Sequence, residues 1–400
     1  MARVDVVIVG AGTTGAVVAA RLHERGKAVL LLEAGPGEPA PSGLDPFAAL
    51  AASGRTWTGL VAARRAGGPP SPYWQGRGIG GTSAVNGMMA TWGRPTDYDR
   101  WGLPGWSWTD LAPARRRVEA ALPLLRRRRL GPVNAAFAAA GAEAGLDLER
   151  PLFTVAARHR VTIAQAYGVT ARADSEVDRI LFEGRRAAGV RLTTGEEIEA
   201  AAVVVTAGAL HSPLLLARSG VDRPGLGANL QDHPAVRVVV PVPEHDRVPD
   251  RRRLPFGVVG RHGEIQFVPM DYTDDRATGG ITVALMRARS RGQVSDAGIQ
   301  FDQLADDRDR AALEAGLGLV ERLVPGAEVP PVDDLGDVFH AAGTCRMGDA
   351  SDPEAVVDTA GRVLGHQALR VADASILPTL PAVNPMLTCV LIGERIVERW

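Results

Sequence analysis

Cysteine is scarce in this chain: Cys345 and Cys389 are the only two in 400 residues. Two thiols cannot build a disulfide framework, and no His/Cys/acid cluster at ligand spacing accompanies them, so no metal site is expected and a reducing compartment is. Lysine is scarcer still. Lys27 is the single one, and Arg supplies the rest of the 45 basic residues, against 46 Asp and Glu. The formal net charge of −1 gives no electrostatic reason to expect nucleic acid or an anionic membrane surface as partner. Long apolar runs are missing too. Those present have strand length or are broken by Gly, Pro or Arg, so no membrane span is expected. The first strand begins within a few residues of Met1, leaving no room for a signal peptide. The expectation is a soluble, cytoplasmic protein.

What is there is ordinary in bulk and specific in detail. A hydrophobic content of 46% with 23% charged residues is that of a globular protein, and the length calls for two domains or one large two-lobed unit. Residues 4–33 organise the rest. An apolar run from Val4 to Val9 feeds Gly10-Ala11-Gly12-Thr13-Thr14-Gly15; residues 16–25 read as a helix and 28–33 as a second buried strand. Each glycine has a chemical reason: Gly10 for the tight turn, Gly12 so that a pyrophosphate reaches the backbone, Gly15 for close helix packing. The helix N-terminus offers N–H groups and partial positive charge to phosphates. Glu33 falls near the ~20-residue spacing expected of an acid on a ribose hydroxyl. Gly76-Arg77-Gly78-Ile79-Gly80-Gly81 fits the same GxGxxG pattern but follows a proline-rich loop, so it fails as a second dinucleotide motif.

Further along, residues 35–75 read as a long loop with a short helix at 46–52 and a strand at 57–62. Gly80 to Gly87 is small and polar, suited to backbone pressed against a flat ligand. Ser107 or Thr109 is expected to cap a helix running through Val118, and Arg115–Arg117 and Arg126–Arg129 to lie on solvated faces. Residues 161–209 have strand character, ending at Val203-Val204-Val205-Thr206, after which Ser212 is expected to cap a helix with Pro213 in its first position. Alternation at 236–242, 264–268 and 280–286 predicts an antiparallel sheet, and 302–323 a helix. Leu369 to Ser375 reads as a strand and turn. The last helix is expected from Pro385 onward, capped by Asn384.

With these pieces in place the chain resembles the glucose–methanol–choline (GMC) oxidoreductases, which are FAD enzymes. The resemblance rests on the βαβ unit ending Leu31-Leu32-Glu33-Ala34-Gly35; on Gly80 to Met88; on Asp97-Tyr98-Asp99-Arg100-Trp101; on Ala207-Gly208-Ala209-Leu210-His211-Ser212-Pro213; on Gly225 to Pro234; on His340-Ala341-Ala342-Gly343-Thr344-Cys345-Arg346-Met347-Gly348; and on 371–385. It implies an α/β (α+β two-domain) fold: a Rossmann-like FAD-binding domain from 1–100, 161–235 and 365–400, with a smaller antiparallel-sheet substrate domain from 101–160 and 236–364. Carried onto this sequence, Glu33 and Ala34 would bind the adenosine ribose, and Gly10, Gly12, Thr13, Thr14 and Gly15 the pyrophosphate. Arg77, Gly80, Gly81, Thr82, Ser83, Asn86, Gly87 and Met88 would line the pyrophosphate and isoalloxazine. Val177 would meet the adenine; Ala207, Gly208, Asp373 and Ala374 would sit by the dinucleotide, and Pro385 and Met386 by the flavin. His340 matches the family's active-site base and Asn384 its partner.

The implied chemistry is alcohol oxidation by hydride transfer to flavin N5, with His340 taking the hydroxyl proton. The small Ala341, Ala342 and Gly343 leave room for a substrate. A satisfied core histidine competes for His340, and simple helix capping for Asn384. His211 and His233 read as structural, and Cys345 as small buried packing. Two departures are visible. The chain is short for the family, and Val85 stands where some members carry a flavin-linking His, so FAD is expected to be non-covalent. The partners implied are a small-molecule alcohol and, as acceptor, oxygen or a redox carrier such as mycofactocin. A flavin-containing lyase of the same fold, of hydroxynitrile lyase or photodecarboxylase type, is the other activity the resemblance allows. An NAD-dependent dehydrogenase using the first βαβ unit alone would not account for the later blocks.

Overall fold

Val4–Val9 (β1), Thr13–Glu24 (α1) and Val29–Leu32 (β2) form the expected βαβ unit, with β1 and β2 parallel. The computed structural model describes residues 4–37, 54–87, 89–122, 124–126, 129–154, 162–247, 255–273 and 277–400; the helix expected at 46–52 lies outside them. Val7, Ile8 and Leu32 are fully buried, which is why these strands read as continuous apolar runs rather than alternating ones.

Val177–Glu183 (β3), Arg186–Leu192 (β4) and Glu197–Val205 (β5) make an antiparallel meander. β5 serves twice. Its first residues pair with β4, while its apolar end runs parallel to β1 on one side and to the Leu369–Val371 strand on the other. The product is a six-stranded sheet in the order β2-β1-β5-β4-β3, with the 369–371 strand added to β5.

Gly208–Arg218 (α2) corrects the expected helix start. It begins before Ser212 and holds Pro213 in its interior. An interior proline leaves the carbonyl one turn back, that of Ala209, without its N–H donor. The Thr344 hydroxyl donates to that carbonyl instead, at 2.5 Å. Ser212, expected as a cap, donates its hydroxyl to Asp373 at 2.6 Å. Upstream, the helix through Val118 is Ala112–Ala121 and has no side-chain cap; Ser107 bonds Asp110 at 2.6 Å instead. Nor is the arginine run there simply solvated. The Arg115 guanidinium lies 3.5 Å above the Trp108 ring, and Arg117 pairs with the buried Glu394 at 2.9 Å.

The predicted antiparallel sheet is present. Ala235–Pro241 (β6), Val259–His262 (β7), Ile265–Met270 (β8) and Thr278–Leu285 (β9) pair in the order β6-β9-β8-β7, ending on the short Asp147–Glu149 strand. One face buries Val236, Val238, Ile265, Phe267, Ile281 and Val283 in a core shared with Leu313, Leu317 and Val320 of the helix Asp307–Leu323 (α3). The alternate residues turn the other way, toward the first sheet. The helix Met386–Glu398 (α4) packs on α1 so closely that a Cβ at Gly393 would lie 2.7 Å from Val17. Among the described residues, no helix is long and apolar enough to cross a membrane.

Candidate active site

The two glycine turns are pressed together. Gly10 holds φ +107, and a Cβ there would meet the Thr206 carbonyl oxygen at 2.6 Å, so the turn leaving β1 passes β5 only as glycine. The Gly80 N–H donates to the Ala11 carbonyl at 2.8 Å, and a Cβ on Gly81 would come within 2.8 Å of Gly12 Cα. The second GxGxxG segment is thus the layer stacked against the first turn. Glu33 joins them. Its buried carboxylate accepts the N–H of Ala11 at 3.0 Å, of Gly35 at 2.9 Å and of Gly78 at 2.9 Å. Burial raises its pKa, and the three N–H groups oppose that by stabilising the anion.

These turns border a cavity of about 620 Å³. Gly10, Gly12, Thr13, Thr14, Glu33, Ala34, Gly81, Thr82, Ser83, Asn86, Gly87, Val177, Ala207, Gly208, Asp373, Ala374, Pro385, Met386, His340 and Asn384 all line it. Gly15, Gly80 and Arg77 do not. A Cβ at Gly15 would meet the Gly10 carbonyl oxygen at 2.0 Å, so its part is packing. Arg77 lies 5.2 Å over the Trp57 ring and 3.7 Å from Glu176. Met88 is outside the described residues.

Among the described residues three α-helices begin at this cavity, and their N-termini differ. The α2 terminus is satisfied: Asp373 accepts the Gly208 N–H at 2.9 Å as well as the Ser212 hydroxyl. Those of α1 and α4 carry no side-chain cap. Two uncapped helix starts on one cavity are places for negative charge, and Gly12 leaves its approach clear, with only Gly81 Cα as near as 4.0 Å to a built Cβ. The donor set fits a dinucleotide: open N–H groups for a pyrophosphate and a carboxylate with an unused lone pair for a ribose hydroxyl.

Asn384 does not cap α4, whose N-cap position is Pro385. Its Nδ2 lies 3.4 Å from Nε2 of His340 instead. The other ring nitrogen of His340, Nδ1, lies 3.0 Å from Nδ1 of His233, with the rings edge to face at 85°. Burial first, and then the His233 ring, hold the His340 imidazole well below its ordinary range. Phe339, the residue before it, sits at φ +61, a costly conformation for an aromatic residue, with its ring stacked 5.6 Å from Trp74.

Sequence reasoning missed much of this surrounding shell. His233, read as structural, contacts His340 directly. Tyr73 and Asp232 are bonded at 2.7 Å behind the pair. His211 lines the cavity, its ring 4.3 Å from that of Trp57 and tilted by 32°. Gln266, Val268 and Met270 of the antiparallel sheet form a wall with Phe256 and Met286 beside it. Alternation marked those strands but not which face would meet a cavity.

Known proteins resemble this chain along nearly its whole length. The GMC oxidoreductase models match residues 4–152 and 155–235 with the N-terminal part and 283–393 with the C-terminal part. A 5-(hydroxymethyl)furfural oxidase of Methylovorus sp. (strain MP688) is 30% identical, with 98% of each chain covered. That alignment runs over 519 positions against 400 residues here, so the relative contains segments this chain lacks. An oxygen-dependent choline dehydrogenase of Brucella anthropi is 26% identical over 98% of this chain and 94% of its own. The crystal structure of pyridoxine 4-oxidase from Mesorbium loti superposes with a TM-score of 0.88 at 27% identity, covering 100% of this chain and 99% of that one.

Proposed function

The chain belongs to the GMC oxidoreductase family, FAD enzymes acting on CH–OH donors, and from that premise we propose that it oxidises a small alcohol with His340 as the base and Asn384 as its partner. The observation that carries this reading is the His340–Asn384 contact at 3.4 Å, on the same cavity as the open starts of α1 and α4. FAD, when bound, supplies the hydride acceptor at flavin N5. His340 contributes an uncharged ring whose Nε2 lone pair can take the hydroxyl proton. Asn384 Nδ2 lies beside that nitrogen, and its N–H can hold the substrate oxygen there. The start of α4 favours negative charge next to the ring system.

On this reading Glu33 holds the adenosine ribose, while Thr13, Thr14 and the glycine backbone hold the pyrophosphate. The first sheet then carries FAD and the antiparallel sheet covers the substrate, as the domain division 1–100, 161–235 and 365–400 against 101–160 and 236–364 has it. Val85 has no nucleophilic atom, which supports non-covalent binding. The wall of Phe256, Val268, Met270 and Met286, with Gln266 and Arg237 among them, suits an alcohol with an apolar or aromatic body and few polar groups. Oxygen or a redox carrier would take the electrons.

The test is anaerobic bleaching of the FAD-loaded enzyme by a panel of alcohols. Bleaching by aryl or furyl methanols, and not by sugars, supports the proposal; no bleaching by any alcohol would set it aside in favour of a lyase. Peroxide release under air, against reduction of an artificial dye, separates oxygen from a carrier as acceptor.

A further inference from the structure

His340 can act as a base at Nε2 only in one of its two neutral tautomers, the one with its proton on Nδ1. Something must select it, because in free imidazole neither tautomer is strongly excluded. Asn384 is a weak selector at 3.4 Å, since an amide presents either a donor or an acceptor by turning over. The other nitrogen faces a better candidate. We propose that His233 is a positioning residue that holds His340 in the Nδ1–H tautomer, by accepting that proton on its own Nδ1 and so leaving Nε2 of His340 bare toward the substrate. This inference rests on His340 being the base.

The geometry carries it in three steps. The Nδ1 to Nδ1 distance is 3.0 Å, a hydrogen bond in which exactly one ring donates, because two neutral rings share a single proton there. Next, the direction follows from the base assignment: Nε2 of His340 can take a proton only when Nδ1 carries one, and Nδ1 of His233 is then the acceptor. The proton of the His233 ring then sits on its Nε2, a buried atom that makes no hydrogen bond among the described residues. Last, the contact is built in by the backbone. Oδ1 of Asp232 accepts the N–H of both His233, at 2.7 Å, and His340, at 3.0 Å. Its Oδ2 accepts the Tyr73 hydroxyl at 2.7 Å, and that hydroxyl accepts the Ala341 N–H at 3.2 Å. One buried carboxylate thus fixes both histidine backbones, and the rings meet without freedom to part. His233 and Asp232 are buried, so the His233 side of the shared proton is shielded from bulk water.

The test uses FAD-loaded enzyme labelled with ¹⁵N-histidine, together with His233→Leu, His233→Asn and His340→Ala. In the wild type, ¹⁵N NMR should show His340 with a protonated Nδ1 and a bare, pyridine-like Nε2. A protonated Nε2 there would overturn the proposal. His233→Leu should lower the anaerobic rate of flavin reduction about a hundredfold, with KM changed by less than about threefold, because the Nδ1–H tautomer of His340 would then bury an unpaired donor while the pocket is kept. An unchanged rate would overturn the proposal. His233→Asn places an oxygen where Nδ1 stands and should restore the rate to within about tenfold of wild type; a loss as large as that of Leu would show that ring shape, not the acceptor, matters. If His340→Ala itself keeps near-normal reduction, the base assignment fails, an outcome distinct from failure of the tautomer proposal.

Discussion

The Thr344 hydroxyl donates to the Ala209 carbonyl at 2.5 Å, and so supplies the bond that Pro213 cannot make inside α2. Thr344 sits four residues past His340, so the same contact ties the histidine segment to the helix that follows β5. Thr344→Val keeps the shape and removes the donor, leaving a buried carbonyl unsatisfied. The expected cost is about 1–3 kcal/mol of unfolding free energy, and Thr344→Ser should recover most of it. Denaturant unfolding of the three proteins measures this.

Gly81→Ala tests the stacking of the two glycine turns. The added methyl would lie 2.8 Å from Gly12 Cα, and both are backbone atoms with little room to shift. The turns should separate and the pyrophosphate site open. The variant should purify with well under half the wild-type flavin-to-protein absorbance ratio and an unchanged far-ultraviolet circular dichroism spectrum.

Much of the frame was legible because it rests on local pattern. The continuous apolar runs of β1, β2 and β5 mark strands covered on both faces, and alternation marked the antiparallel sheet. Capping was the weak point. Ser212 and Asn384 both have the side chains and the following proline of a helix start, but in the fold each oxygen or amide has a better partner, Asp373 and His340, brought from far along the chain. His233 was missed for a similar reason. Its Asp-His-Pro context carries no local sign that His340 will arrive beside it.

His211 gives a pH dependence with a definite sign. Burial pushes its pKa down to about 4, so the folded protein holds it neutral while the unfolded chain protonates it below its ordinary value of 6.5. Stability is therefore lost as pH falls from about 6.5 toward 4, by ~1.4 kcal/mol per unit. His211→Phe keeps a ring on Trp57 and removes the titration. Its loss between pH 7.5 and pH 5 should be smaller than that of wild type by about 2 kcal/mol, read from denaturant unfolding at the two pH values.

Glu394 is almost wholly buried and accepts hydrogen bonds from Arg21 at 2.9 Å, Arg117 at 2.9 Å and Tyr167 at 3.1 Å. Glu394→Ala removes the buried acceptor, but Arg21 keeps Glu24 and Arg117 keeps Glu398, so the expected cost is about 1–3 kcal/mol, with a matching drop in melting temperature by calorimetry.

The central claim, that His340 removes the hydroxyl proton, is tested most directly by anaerobic stopped-flow reduction of FAD-loaded His340→Ala with an alcohol that the wild type oxidises. The rate should fall by about a hundredfold to ten-thousandfold, with the flavin spectrum and bound FAD unchanged. Reduction at a rate within a few-fold of wild type, with FAD fully bound, would contradict it.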